Sequence, residues 1–321
     1  METTMTQEQR AFARGLITKG ELGRTPAQQR AEFDELFASR PLGDDVTLTP
    51  RTLGGVPALD VRIDSADGAD APAGADSGAG ADGVGAAARA HNGAEAVIFY
   101  LHGGGYVVGS ARTGANLAVP LARRTGLPAV SLEYRLAPEN PFPAALDDAL
   151  AAYKELVETG RPILIAGDSA GGGLALATML AARREGLRLP EAAVVFSPWA
   201  DLTLSGTSID SRGDLDPLFS RAHMEEYAEA YLAGHDPKDE LASPLLGDLS
   251  GLPPLLIQVG SAEVLLDDAL RLAVRAAEQE VDVSLDVVAG APHVYPLMVG
   301  VMDEADQALD RAATFLVGAV A

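Results

Sequence analysis

The hydrophobic positions of the chain fall into short continuous runs, separated by longer stretches with a helical period. Ala96-Val97-Ile98-Phe99-Tyr100-Leu101 has no charged or small polar interruption. Such a run predicts a strand buried on both faces, because a half-exposed strand would alternate. Similar runs stand at 163–166, 192–196 and 255–259, with further strands expected at 58–63, 129–134 and 281–288. Between them the period lengthens to that of helices, at 114–124, 143–159, 170–184 and 302–317. Two more helices are expected at 7–19 and 26–39. Repeated strand–helix units with buried strands imply a parallel sheet covered by helices on both faces, an α/β fold in one domain. The rhythm breaks between Pro198 and Pro253, where helical pieces such as 221–233 appear. A stretch this long is too large for a plain connection and is of the kind that forms lids.

Residues 66–92 are almost entirely Ala, Gly, Asp and Ser. With few large apolar side chains they cannot offset their ordering entropy by burial, so they read as a solvated insertion within the domain. The 321-residue chain has no cysteine, which excludes disulfides, thiolate metal sites and thiol catalysis. Its formal net charge of −22 disfavours nucleic acid and anionic lipid as partners. No stretch approaches the ~20 apolar residues that span a bilayer. The polar N-terminus does not read as a signal peptide, and a cytoplasmic location is expected.

Composition leaves acyl-transfer chemistry open, and three patterns point to it. Gly167-Asp168-Ser169-Ala170-Gly171 lies between a buried strand and a helix. A nucleophilic serine needs that tight turn, with its hydroxyl raised above the sheet and the next N–H, from Ala170, facing the reacting carbonyl. His102-Gly103-Gly104-Gly105 follows another strand. Its small residues let backbone N–H groups turn toward an oxyanion, so Gly103, Gly104 and Ala170 are the expected donors. His102 itself reads as a loop-orienting residue. Of the five histidines, His293 is the expected base, because it follows the last strand and completes the order serine, acid, histidine. Glu263, Asp267 and Asp268 compete for the acid. Glu263 comes soonest after its strand and is preferred, with Asp267 second. Tyr106, Trp199, Phe219, Met224 and Met298 are candidates to line the substrate pocket, by closeness to these loops. The triad requires neither metal nor cofactor. The expected partner is a small ester, and an exposed edge strand would suit a homodimer.

Together these residues resemble the hormone-sensitive lipase-like family of α/β-hydrolases, the bacterial family IV esterases. His102-Gly103-Gly104-Gly105 is similar to its HGGG box and Gly167-Asp168-Ser169-Ala170-Gly171-Gly172 to its GDSAGG box. Glu133-Tyr134-Arg135-Leu136-Ala137-Pro138-Glu139, Ser197-Pro198-Trp199-Ala200-Asp201-Leu202 and Gly251-Leu252-Pro253-Pro254 are further similarities. The resemblance implies an eight-stranded, mostly parallel sheet and a helical cap from about 1–40 and 200–235. It implies a serine carboxylesterase for short- to medium-chain acyl esters, with lactonase, amidase or deacetylase as alternatives on the same triad. A long-chain lipase fits less well, since the sequence shows no basic amphipathic helix for docking on lipid. A non-catalytic receptor such as the plant gibberellin receptor lacks the triad histidine, whereas His293 is present here. The chain departs from the family in two ways: Glu263 stands where an aspartate is usual, and residues 66–92 match no family feature.

Overall fold

The architecture is taken from a computed structural model that describes residues 23–64 and 95–321. The helix expected at 7–19, His91 and the insertion 66–92 lie outside the described residues. The first described helix, α1 (Pro26–Phe37), starts where its sequence dictates. Thr25 caps it, Pro26 takes the first position, and Gln28 returns a bond to Thr25.

A hairpin follows, β1 (Val46–Leu53) and β2 (Val56–Ile63), joined by Gly54-Gly55. Then come β3 (Val97–Leu101), α2 (Ala111–Thr125), β4 (Ala129–Leu132), α3 (Ala144–Glu158) and β5 (Ile163–Asp168). The remainder is α4 (Ala170–Arg184), β6 (Ala192–Phe196), α5 (Ser208–Ser211), α6 (Arg221–Leu232), β7 (Leu255–Gly260), α7 (Leu266–Glu278), β8 (Val283–Val288) and α8 (Asp303–Gly318).

One eight-stranded sheet runs β1-β2-β4-β3-β5-β6-β7-β8. It is parallel from β4 to β8, and β1 and β2 are antiparallel additions at one edge. Every residue of β3, β4, β5, β6 and β7 is buried. Alternate side chains feed two cores, as the period of a strand requires. Phe99, Ile165, Val195 and Ile257 face α3, α4 and α7, whereas Ile98, Leu164 and Val194 face α2 and α8. β1 was not expected, because Pro50 interrupts its alternation. A proline is tolerated there since, among the described residues, β1 has no neighbour on its outer side.

The boundaries shift in one place that matters: β5 runs on to Asp168. The strand therefore delivers Ser169 directly to α4 at the carboxyl end of the sheet, where open α/β sheets place their ligands.

Candidate active site

Ser169 occupies the residue between β5 and α4 with φ 52° and ψ −121°. A non-glycine residue rarely holds this backbone, and the surrounding structure must impose it. The start of α4 crosses the end of β3 so closely that a Cβ on Gly171 would stand 2.1 Å from the Leu101 carbonyl oxygen and 2.3 Å from that of His102. Glycine at 171 is therefore a condition for the turn. The amino terminus of α4 lies under Ser169, so its partial positive charge favours an anion there.

Ser169 Oγ donates to His293 Nε2 at 2.9 Å. His293 Nδ1–H donates in turn to Glu263 Oε2 at 2.6 Å. The three side chains come from the ends of β5, β7 and β8, so the sheet itself sets their spacing. Glu263 is fully buried. Its other oxygen, Oε1, accepts from Gly260 N–H at 2.7 Å and Ser197 Oγ–H at 2.8 Å. Burial pulls the His293 pKa down, but the negative charges of Glu263, Asp216 and Asp168 outweigh it and hold the ring above its ordinary value.

The other acids that compete in the sequence serve elsewhere. Asp267 Oδ2 accepts from Thr207 Oγ1–H at 2.5 Å and Ser208 N–H at 3.0 Å, at the start of α5. Asp268 Oδ2 accepts from the N–H groups of Ala200 and Asp201, at 2.9 Å each. The other described histidines are likewise engaged away from Ser169. His102 is buried, stacks on Tyr134 with ring centroids 4.1 Å apart, and bonds Gly103 O at 2.8 Å. Burial lowers its pKa to about 4, so it is neutral. His223 Nδ1 bonds Ser220 Oγ, and His235 bonds Asp239.

The oxyanion loop departs from expectation in one donor. Gly103 N–H is given to Asp168 Oδ1 at 3.0 Å, and the same oxygen accepts from Tyr100 Oη–H at 2.7 Å. Gly104 lines the cavity beside Ser169. The N–H groups of Gly104 and Ala170 make no hydrogen bond among the described residues. Asp168 has its carboxyl pushed up to about 6 by burial.

A cavity of about 760 Å³ opens above Ser169 and His293. α1 contributes Phe33, Leu36 and Phe37 to it, and Leu218, Phe219, Tyr227, Leu297 and Met298 are among its other apolar walls. α1 and α6 meet over it through Gln29 Nε2–H to Glu226 Oε1 at 2.8 Å. Phe219 and Met298 thus reach the cavity, but Tyr106, Trp199 and Met224 do not. Tyr106 stacks on Tyr231 of α6 at 3.8 Å and tilts against Trp199, and Met224 on the buried side of α6 joins the same core. They are near the loops in sequence but on their inner side. Asp216 is a residue that sequence reasoning did not single out. Buried in the loop before α6, it accepts Val264 N–H at 2.9 Å and the N–H groups of Leu218 and Phe219 at 2.8 and 3.0 Å. It thereby straps Phe219 edge-on to the His293 ring, with centroids 5.2 Å apart. No local signal distinguishes it from the neighbouring turn acids. Among the described residues, no group of three or more His, Asp or Glu side chains could hold a metal ion.

The fold and the sequence of this chain have counterparts among known proteins. A family model for the alpha/beta hydrolase fold matches residues 98–297. A crystal structure of an esterase from the bacterial hormone-sensitive lipase family superposes with a TM-score of 0.85 at 36% identity, covering 99% of this chain and 100% of that one. The chain is a hormone-sensitive lipase-like α/β-hydrolase. This hydrolase is also 36% identical over 302 residues to an esterase of Acinetobacter venetianus, spanning 93% of this chain and 91% of the relative. It is 46% identical over 222 residues to an acetyl-hydrolase of Streptomyces hygroscopicus, spanning 68% of this chain and 74% of the relative. Among the described residues, no helix of the hydrolase is long and apolar enough to cross a membrane.

Proposed function

We propose that the hydrolase is a carboxylesterase for short- to medium-chain acyl esters, with Ser169 as nucleophile, His293 as base and Glu263 as acid. The observation that carries this reading is the hydrogen-bonded sequence Ser169–His293–Glu263, at 2.9 and 2.6 Å, opening on a cavity with both apolar and polar walls. His293 Nε2 takes the Ser169 proton as Oγ attacks the ester carbonyl, and a tetrahedral oxyanion forms. The N–H groups of Gly104 and Ala170 stabilise it, aided by the α4 terminus, and Gly103 stays with Asp168 to hold the loop. One such donor is typically worth about 10²–10³ in rate. His293 then gives the proton to the leaving alcohol, and the acyl group remains on Ser169. Water, deprotonated by the same imidazole, attacks the acyl-enzyme, and His293 returns the proton to Ser169 Oγ as the carboxylic acid leaves. Glu263 fixes the Nδ1–H tautomer and offsets the imidazolium charge as it forms.

A cavity of about 760 Å³ lined by Phe37, Leu218, Phe219 and Met298 suits a modest acyl chain. The acetyl-hydrolase and esterase names of the relatives are consistent with it. The test is hydrolysis of p-nitrophenyl esters from C2 to C16. Turnover should favour the short and middle chains, and Ser169→Ala should remove it. Near-normal turnover by that variant, or a preference for the longest chains, would overturn the reading.

A further inference from the structure

One buried hydroxyl touches both supports of the nucleophile. Ser197 follows the last residue of β6 and is fully buried. Its Oγ–H donates to Glu263 Oε1 at 2.8 Å, and Ser197 Oγ itself accepts the N–H of Val294 at 3.0 Å. Val294 is the residue after the base. Ser197 is itself pinned to the sheet, its N–H bonded to Gln258 O at 2.7 Å. The backbone around this hydroxyl is costly to hold. Ser197 has φ 46° and Val294 φ 47°, the left-handed region that a β-branched residue adopts only under constraint. Such outliers at a site are a reason to ask what the strain maintains.

The geometry answers that question. With Gly260 N–H and Ser197 Oγ–H on Oε1, the Glu263 carboxylate can present only Oε2 to His293. With Val294 N–H held by the same hydroxyl, the chain at His293 cannot relax toward an ordinary conformation and swing Nε2 away from Ser169. We propose that Ser197 is a positioning residue for acyl transfer, aligning the acid through its proton and the base through its lone pair. This rests on the Ser169–His293–Glu263 reading given above. Three carboxyls face His293: Glu263 from the β7–α7 loop, Asp216 from the loop before α6, and Asp168 from the end of β5. Only Glu263 is bonded to Ser197.

The experiment compares Ser197→Ala and Ser197→Gly with the unaltered enzyme and with Ser169→Ala, on p-nitrophenyl acetate from pH 5 to 9. Active sites are counted by stoichiometric reaction with a fluorophosphonate, so that misfolded protein does not enter kcat. Both Ser197 variants should lose about 10- to 100-fold in kcat per site, the range for losing a hydrogen bond to a charged group, with KM within about twofold. The acid limb of kcat/KM should also move to lower pH, because His293 is no longer held against Glu263. Glycine accepts a left-handed backbone freely, so it separates hydroxyl from strain. Recovery of kcat in Ser197→Gly alone would assign the effect to the backbone and overturn the proposal. Unchanged kcat and an unmoved acid limb in both variants, with Ser169→Ala inactive, would overturn it and leave the triad standing. Activity in Ser169→Ala would remove the triad reading itself.

Discussion

Glu263 reaches His293 with one methylene more than an aspartate has, and the extra length is taken up by pinning its second oxygen to Gly260 and Ser197. The proposed acid is thereby held in one orientation toward His293. Exchanging it for an isosteric amide should therefore be severe. Glu263→Gln removes the largest charge facing His293 and lets the ring adopt the wrong tautomer. We expect kcat to fall on the order of 10³- to 10⁴-fold, in line with the loss when a triad acid becomes an amide. Asp267→Asn, whose side chain serves Thr207 and Ser208, should stay within about threefold of normal, because nothing in its bonding touches the triad. Steady-state kinetics on one ester checks both, and the reverse ranking would move the acid to Asp267. The same charges set the pH dependence. His293 must be neutral to take a proton, and its pKa is raised, so kcat/KM should fall as the pH drops through a value above the ordinary ~6.5 of histidine. In Glu263→Gln the residual activity should lose that limb to lower pH. A limb at or below the ordinary ~6.5 in the unaltered enzyme would contradict the raised pKa.

Among the elements, the crossing of α4 over β3 is a tight constraint beside the nucleophile. In Gly171→Ala the new methyl would meet two carbonyl oxygens of the main chain, which no rotamer change can move aside. The helix start must shift, and Ser169 with it. Overpacking of this kind typically costs about 1–3 kcal/mol. Thermal unfolding should show that loss, and activity should fall further than stability alone accounts for. A variant with unchanged Tm and kcat would mean the crossing has slack. The buried strands were legible at this scale because residues covered on both faces leave an uninterrupted apolar run. The position of Ser169 was legible because strand, turn and helix are local. β1 was hidden by Pro50, whose missing N–H is harmless only at an edge, and being an edge is a fact about neighbours. Tyr106, Trp199 and Met224 were misplaced for the same kind of reason. Nearness in sequence to a loop does not tell which side of that loop a side chain will pack against, and part of the cavity wall comes from α1, some 130 residues before the serine. Asp216 acts through backbone N–H groups of Val264, Leu218 and Phe219, and backbone donors carry no residue signature.

Across the whole molecule, the sheet order makes a statement about the Ala/Gly/Asp-rich segment. Val61 of β2 and Ile98 of β3 both pair with Ala129 of β4, from opposite sides. The ends that the segment connects are thus only two strand spacings apart, roughly 10 Å, which a few residues can bridge. Deleting 68–90 should leave Tm and kcat near their normal values, measured by thermal unfolding and ester hydrolysis. Loss of folded protein would give the segment a structural role. The same order also governs how the chain acquires its activity. Ser169 and His293 are 124 residues apart, and they meet across a sheet in which β6, β7 and β8 lie in order beside β5. Contacts so distant along the chain must wait for the loops between them to close, whereas α2, α4 and α8 can form from neighbours alone. During refolding from denaturant, helical circular dichroism should return before esterase turnover does. Catalysis by this hydrolase is then a late reporter of the completed sheet.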